Sequence, residues 1–237
     1  MRIPQGTAGN YNWNHIYSEI MRDFQFDYRT DIYSASELEK ICRSSAGSVL
    51  QSYSRLRELI KGRNVLVVGA AAEYFPSEIN DNDITIIACD GVTTLFRKKG
   101  ISPHIIVTDL DGNIDDLMSF IGRSYFVLHG HGDNIEMIKR YGRKIISSGM
   151  AIGTVQVNEN DIVFNFHGFT DGDRAVAMAA YFDAGKILLY GFDFDKIGEY
   201  SYTPEENRNI KLKKLQWAKN LISDIAENSG IKLEYLY

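Results

Sequence analysis

The sequence predicts an α/β protein in which a mostly parallel, doubly wound sheet follows a helical N-terminal extension. Three observations predict this fold. From residue 64 onward, short β-branched runs alternate with stretches of helical periodicity, as in strands joined by crossover helices. The strand-like runs are continuously apolar, which is typical of strands covered on both faces. The earlier residues contain no strand-like run, so we predict a helical extension over 1–62 and an α/β domain over 63–237.

Two helices are predicted in the extension. Residues 12–25 carry apolar side chains at helical spacing. Residues 36–60 form a second apolar stripe that opens with Ser36 and Glu39, a capping-box pair, and Gly62 follows as a terminator.

The α/β domain is predicted to alternate strands and helices. The predicted strands are Val65–Val68, Ile84–Cys89, His104–Thr108, Tyr125–His129, Lys144–Ser147 and Lys186–Tyr190. The predicted helices between them are 91–99, 113–122, 134–141 and 171–184. Residues 154–166 are expected to form a hairpin or edge strands. A last helix is expected from Thr203, with Pro204 at its first position, to about Asn228, and Ile231–Tyr237 alternates like a closing strand.

Composition narrows the classes of function. A chain of 237 residues with a net charge of −5 has no general cationic field to attract nucleic acid. No apolar run approaches the length of a membrane-spanning helix, and the first residues lack a signal-peptide core. The two cysteines, Cys42 and Cys89, offer neither a disulfide framework nor a zinc motif. We therefore expect a cytoplasmic protein that binds neither nucleic acid nor a membrane.

The most informative stretch is the acidic turn after the third predicted strand. Asp109 and Asp111 are two residues apart on extended chain, so their side chains point to the same side. Two carboxylates at a strand end suit Mg²⁺, which completes its coordination with water and substrate phosphates. The alternative is that these aspartates cap the helix that follows.

Glycines and polar side chains follow the other predicted strands. Ligands of open α/β sheets bind beyond the carboxyl ends of the strands, so we expect these residues to lie on one rim. Glycines and helix N-termini would approach phosphates there, and carboxylates would bind a nucleotide through Mg²⁺. The candidates are Gly69, Asp90, Gly91, His129, His131, Asp133, Asn134, Thr170, Asp171, Asp173, Arg174, Asp193 and Asp195.

The histidine pair leaves three interpretations open. His129 and His131 lie beside Asp133 and could bind zinc or another transition metal. They could also contact a substrate, or simply hydrogen-bond the turn at the strand end. No cysteine or third histidine lies close in sequence to complete a zinc site.

Several basic residues are candidates for neutralising phosphate charge. Arg174 begins a predicted helix, and Lys211 and Lys214 share one face of the last helix, whereas Lys213 is expected to be solvated. Asp193 could bind nucleotide or metal, or be a solvated loop residue. The sequence has no GxxxxGK[ST] loop, no GxGxxG after its first strand and no GxSxG elbow, which argues against three common nucleotide-binding and hydrolase sites.

Five motifs occur in order: Cys89-Asp90-Gly91, the segment 103–112, His129-Gly130-His131-Gly132-Asp133-Asn134, the segment 168–175, and Gly191-Phe192-Asp193-Phe194. Over roughly residues 64–220, this set resembles the archaeal 6-hydroxymethyl-7,8-dihydropterin pyrophosphokinase family. That family is itself distantly similar to thiamin pyrophosphokinases.

The resemblance implies a Rossmann-like, thiamin-pyrophosphokinase-like fold. It also implies transfer of diphosphate from ATP to the hydroxymethyl group of a reduced pterin, with release of AMP, in folate or methanopterin biosynthesis. Mg²⁺ would be held by Asp90, Asp109 and Asp111, with either Asp133 or Asp171 as a further metal or substrate ligand.

The site residues expected on this basis fall into three groups. Catalysis is expected from Asp109, Asp111, Asp133 and Asp171. ATP binding is expected from Gly69, Asp90, Gly91, Thr170, Asp173, Arg174, Asp193, Lys211 and Lys214. Pterin binding is expected from His129, His131 and Asn134.

Three other functions remain open from the sequence. A thiamin pyrophosphokinase would use the same metal site with a different acceptor pocket. A sugar-nucleotide transferase also binds a metal nucleotide through Asp-x-Asp. A nucleotide-binding module without turnover is the non-enzymatic alternative. The expected partners are ATP and a reduced pterin, with a second copy of the chain left open.

Overall fold

The computed structural model describes residues 12–74, 84–157 and 159–236. These residues form an eight-stranded, all-parallel sheet in the order β6-β5-β4-β3-β2-β1-β7-β8. The strands are β1 Asn64–Val68, β2 Ile84–Cys89, β3 Ile105–Thr108, β4 Tyr125–Gly130, β5 Ala151–Val155, β6 Val163–Phe164, β7 Lys186–Tyr190 and β8 Leu233–Leu236. The predicted fold class is confirmed.

The helices are α1 Trp13–Phe24, α2 Tyr28–Arg43, α3 Ala46–Ile60, α4 Thr93–Lys99, α5 Ile114–Met118, α6 Ile135–Met137, α7 Arg143–Ile146, α8 Asp171–Tyr181 and α9 Arg208–Ser229. A π-helical segment, Ile138–Gly142, joins α6 to α7. No helix within the described ranges is long and apolar enough to cross a lipid bilayer.

The prediction of one helix over 36–60 was wrong, because two helices meet there. The Ser44 hydroxyl donates back to the Ile41 carbonyl at 2.6 Å, and Ser45 leaves helical geometry with φ −136° and ψ 34°. Serine side chains that bond nearby backbone compete with helix continuation. The predicted start was also wrong, since Asp27 caps α2 by accepting from the Arg29 amide at 2.9 Å.

Two strand predictions near the middle of the chain need correction. Residues 144–146 are helical, with Ile145 and Ile146 buried, and Ser147 lies in the turn that follows. A short apolar run does not distinguish a buried strand from a buried helical turn. The fifth strand comes directly afterwards as β5. Within 154–166 the hairpin alternative is wrong, since β5 and β6 are parallel, with Gly153 opposite Val163. The edge-strand alternative is confirmed by β6, which lies at one edge of the sheet; Asn158 lies outside the described residues.

The last predicted helix starts later than expected. Glu205–Asn207 is a single 3-10 turn and α9 begins at Arg208. Thr203 does not cap the helix, because its hydroxyl donates to the Ser201 carbonyl at 3.4 Å. The closing strand is confirmed as β8, which pairs in parallel with β7.

The sheet is covered on both faces. Consecutive residues of a strand point to opposite faces, yet every residue of β3 and β5 is buried. Leu38 and Cys42 of α2 lie directly over β5, where a Cβ on Gly153 would be 2.7 Å from the Cys42 Sγ. The N-terminal helices therefore pack on the sheet itself, while the division into units at residue 62 stays a prediction and residues 1–11 lie outside the described ranges.

Candidate active site

Three carboxylates from different parts of the chain come together at the carboxyl end of the sheet. Asp90 follows β2, Asp109 follows β3 and Asp171 is the first residue of α8. One oxygen of each lies within 4.8 Å of the others, and we call this group the carboxylate cluster. Among the residues that the structure describes, no histidine or cysteine joins such a group. Three hard oxygen donors fit Mg²⁺ and do not form the imidazole or thiolate set of a zinc site.

The turns after β2 and β3 place these carboxylates. The Thr108 hydroxyl donates to the Asp90 carboxylate and accepts from the Leu110 amide at 2.9 Å. Asp90 and Leu110 both have positive φ, at 44° and 70°. Such conformations are costly for residues with a Cβ and recur at functional sites. The strained backbone conformations at Asp90 and Leu110 direct the carboxylates of Asp90 and Asp109 toward a common space.

The alternative that Asp109 and Asp111 cap the following helix is wrong. Asn113 caps α5, because its side-chain oxygen accepts from the amides of Asp115 and Asp116 at 3.1 and 3.2 Å. The Asp109 carboxylate instead accepts from the Asp111 amide at 3.2 Å and stays at the rim of the sheet.

The cluster concentrates negative charge away from water. Burial raises the pKa of Asp90 well above its usual range, and the negative charges of Asp111 and Asp109 raise it further. Burial and the charge of Asp109 raise the pKa of Asp171 in the same way. A divalent cation among these oxygens would relieve the repulsion and favour the ionised carboxylates. Asp90, Asp109 and Asp171 are therefore the residues whose chemistry fits a divalent cation.

Asp109 differs from its neighbours through His131. Burial acts to raise the pKa of Asp109, but the hydrogen bond and charge of His131 hold that pKa well below its usual value. The His131 Nε2 lies 3.2 Å from the Asp109 Oδ2. Burial and the charge of Asp109 raise the pKa of Asp111. His131 thus keeps one carboxylate of the site charged and oriented.

The other two residues expected to bind pterin lie beneath the surface of the site. Asn134 is buried, and its amide donates to the carbonyls of Asp109 and His129 at 2.7 Å each while its oxygen accepts from the His131 amide at 3.1 Å. These bonds occupy the side chain in holding the turn. His129 is 1% exposed, with its Nδ1 3.3 Å from the Thr154 hydroxyl. The bonds of Asn134 support a role in holding the turn, whereas the His129 ring lies against β5, and substrate contact by either residue stays a prediction.

The start of α8 departs from expectation in a similar way. The Asp173 carboxylate accepts from the amides of Phe169 and Thr170 at 2.9 and 2.7 Å, so it is a helix cap. Arg174 is 2% exposed and donates to a backbone carbonyl at 3.0 Å and to the Asp171 carboxylate at 3.3 Å. Both were expected to bind ATP; the structure shows both buried, with Asp173 capping α8 and Arg174 holding the Asp171 carboxylate.

Two cavities are lined in part by the residues of the carboxylate cluster. The first, the switch-point cavity, encloses about 710 Å³ including its open mouth. It lies at the carboxyl ends of β1 and β7, where the strand order reverses, the position at which open α/β sheets bind ligands. Seven of the residues expected to bind ATP line it: Gly69, Asp90, Gly91, Thr170, Asp193, Lys211 and Lys214. Phe192 and Phe194 add aromatic surface.

The second, the helix-side cavity, encloses about 690 Å³ including its mouth. Its walls come from the N-terminal helices and their connection, and from the loops after β3, β4 and β5. They include Phe26, Asp27, Thr30, Asp31, Asp109, His131, Asp133, Gln156 and Phe169. Asp111, Thr170, Asp171, Lys211 and Lys214 line both cavities. The two spaces therefore meet at the acidic and basic groups.

The structure also separates Asp133 from Asp171, which the sequence could not do. Asp171 belongs to the carboxylate cluster, whereas Asp133 lines only the helix-side cavity.

Sequence reasoning missed every residue that α2 contributes. One signal was present: Asp31 falls on the buried face of α2, in register with Leu38 and Cys42, where a charge demands polar partners.

A family model described as "6-hydroxymethylpterin diphosphokinase MptE-like" matches residues 38–199. A protein of Methanocaldococcus jannaschii named 6-hydroxymethyl-7,8-dihydropterin pyrophosphokinase is 36% identical, over 94% of this chain and 98% of its own. Proteins of the same name from Pyrococcus furiosus and Methanothermobacter thermautotrophicus are 33% and 32% identical, over 93% and 94% of this chain and 96% and 97% of their own.

Proposed function

The chain belongs to the MptE-like family of 6-hydroxymethylpterin diphosphokinases, and on that premise we propose that it transfers diphosphate from ATP to 6-hydroxymethyl-7,8-dihydropterin. The observation that carries the proposal is the meeting of two cavities at one set of carboxylates and lysines. A reaction between two sizeable substrates needs two spaces that share the reacting position.

The carboxylate cluster would hold Mg²⁺ through Asp90, Asp109 and Asp171, with Asp111 beside them. When bound, the ion would offset the charge of the polyphosphate and fix its orientation. This set differs from the expected one in that Asp171 joins Asp90 and Asp109, while Asp111 lies at the junction of the cavities.

In the reaction, the hydroxymethyl oxygen bonds to the β-phosphorus of ATP, and the bond from that phosphorus to the oxygen bridging to the α-phosphorus breaks. AMP leaves with that oxygen, and the hydroxyl proton passes to a base. Lys211 and Lys214 line both cavities and supply positive charge for the transferring phosphates. Asp111 also lines both cavities and is the carboxylate we assign to receive the proton.

The two cysteines bear on the compartment in which the protein would work. Cys42 and Cys89 are both buried and free, which supports a reducing compartment such as the cytoplasm. The product, an activated pterin diphosphate, would serve folate or methanopterin biosynthesis.

The test is to incubate the protein with ATP, Mg²⁺ and 6-hydroxymethyl-7,8-dihydropterin and to identify the nucleotide product. We expect AMP in equal amount to the pterin diphosphate. EDTA should abolish the reaction and excess Mg²⁺ should restore it, without tightly bound zinc in the purified protein. Accumulation of ADP would contradict diphosphate transfer. Comparable AMP formation with thiamin would move the assignment to a thiamin pyrophosphokinase.

A further inference from the structure

The helix-side cavity carries one acidic group whose use is not explained by the fold. Asp27 caps α2 and pairs with Arg29 through both carboxylate oxygens. Asp31 accepts from the Tyr17 hydroxyl, the Gln156 amide and the Gly132 backbone amide. The remaining carboxylate outside the shared acidic centre is that of Asp133.

Asp133 is exposed to the cavity, and its carboxylate accepts no hydrogen bond from any residue in the described ranges. Its backbone is nevertheless held firmly. The Gly132 amide donates to Asp31 at 2.6 Å, and the Asn134 side chain ties the turn to the Asp109 carbonyl at 2.7 Å. A free carboxylate on a fixed turn is preorganised to accept hydrogen bonds from a ligand.

The helix-side cavity also has aromatic lining. Phe26, from the connection between α1 and α2, and Phe169, before α8, both line it. The Lys214 ammonium lies 5.7 Å from the centre of each ring, so it links this aromatic surface to the junction of the cavities. Such a surface suits a flat heteroaromatic ring with a polar edge.

We propose that Asp133 is the specificity-determining residue for the acceptor: its carboxylate pairs with the 2-amino and ring N–H groups of the pterin, whose ring lies against Phe26 and Phe169. Two adjacent N–H donors match a carboxylate in the way that a guanidinium does. This inference rests on the proposed function, and it assigns the helix-side cavity to the acceptor and the switch-point cavity to ATP.

The test measures binding rather than turnover, so that it can fail independently of the proposed function. The fluorescent, stable 6-hydroxymethylpterin is titrated into wild type and Asp133→Asn, with and without Mg²⁺ and the non-reactive analogue α,β-methylene-ATP. We expect Asp133→Asn to weaken pterin binding about 10- to 100-fold, since a hydrogen-bonded charge is lost. Affinity for the ATP analogue should stay within about twofold, because Asp133 does not line the switch-point cavity.

Two control variants separate contact from general electrostatics. Glu136→Gln removes the same charge three residues away, from a side chain that is 86% exposed and pairs with Lys139 at 3.2 Å. It should leave pterin affinity within about twofold of wild type. Asp193→Asn, in the switch-point cavity, should alter affinity for the ATP analogue and leave pterin binding unchanged.

A ligand variant tests the contact directly. The lumazine analogue, in which an oxo group replaces the 2-amino group, should bind wild type more weakly than the pterin. Because it keeps only the ring N–H contact, it should lose less affinity in Asp133→Asn than the pterin does. The assignment would be overturned if the two ligands lost equal affinity in Asp133→Asn, or if a folded Asp133→Asn variant bound pterin as wild type does. Neither result would contradict the proposed formation of AMP. A wild type that binds no pterin and forms no AMP would instead overturn the proposed function.

Discussion

The switch-point cavity and the helix-side cavity share the carboxylates between them but are built in different ways. The first is made largely of loops that follow strands, together with the beginning of α8 and one face of α9. The second depends on side chains from α2 and the connection before it, which reach the sheet rim only through tertiary packing. One wall thus follows from the general geometry of an open sheet, and the other from how this particular chain covers it.

On the proposed assignment, the two substrates would be recognised at different levels of the fold. Loops that follow strands, next to a helix N-terminus, form a nucleotide site in many α/β proteins. The switch-point cavity has this common arrangement and does not need residues that recognise the acceptor. In the helix-side cavity, side chains of α2 and of the connection before it lie beside the shared carboxylates. Changes at the shared carboxylates should therefore affect the whole reaction, whereas changes in either wall should affect one substrate.

The largest effect should come from the shared centre. Asp109→Asn removes a charge that His131 orients and that we assign to Mg²⁺, so kcat should fall at least about 100-fold while the fold persists. Asp115→Asn is the matched control, because Asp115 is exposed in the first turn of α5 and lines neither cavity. Steady-state kinetics and circular dichroism check both variants. Near-normal turnover in Asp109→Asn would remove the residue from the site.

Two glycine variants should each disturb one of the two cavities and leave the other unchanged. Gly132→Ala places a Cβ on the Thr30 hydroxyl and should push α2 from the turn, raising the pterin KM about tenfold. Gly69→Ala places a Cβ 2.6 Å from the Gly191 carbonyl oxygen, between the loops after β1 and β7, and should raise the ATP KM by a similar factor. Each variant should leave the other KM within about twofold.

The control for this pair is relief of the overlap. Adding Thr30→Ala to Gly132→Ala removes the hydroxyl nearest the new Cβ but leaves the Thr30 Cβ 2.8 Å from it, so it should restore part of the pterin KM. Equal effects of both glycine variants on both substrates would show that the walls do not act separately.

These glycines also show where prediction from sequence was sound and where it was not. The placement of Gly69 and Asp90 after neighbouring parallel strands followed from strand periodicity, and the structure brings both to one cavity. Gly69, however, lies where two loops of the protein approach each other, a steric relation that one sequence does not reveal. The roles of Arg174 and Asn134 are likewise not revealed by the sequence. Their polar groups suggest ligand binding, but in the fold they form hydrogen bonds with other groups of the protein.

The helical wall was less accessible to prediction for a physical reason. Periodicity shows that a helix has a buried face but not which part of the sheet that face will cover. The path of α2 over Gly153 depends on contacts with Leu38 and Cys42, which are more than a hundred positions away in the chain. The sequence therefore predicted the residues at the carboxyl ends of the strands, whereas Phe26 and Asp31 were identified as site residues only from the structure.

The smallest expected effect probes how α2 is seated on the sheet. Burial raises the pKa of Cys42 from its ordinary value of 9.0 to about 12. A thiol whose pKa is raised by folding stabilises the folded state fully below its unfolded pKa, and that contribution is lost as pH rises toward the folded pKa. The free energy of unfolding should therefore fall more steeply between pH 9 and pH 11 in wild type than in Cys42→Ala, by up to about 1.4 kcal/mol per pH unit.

Urea denaturation at several pH values measures the two slopes. Cys42→Ala should start from lower stability, since it leaves space against Gly153 and Leu38, so the comparison uses the slopes and not the absolute values. Parallel curves would mean that the Cys42 thiol meets water in the folded protein and that α2 is seated less closely on β5 than its contacts indicate. A steeper wild-type curve, accompanied by loss of pterin binding before loss of ATP-analogue binding, would tie the seating of α2 to the helix-side cavity alone.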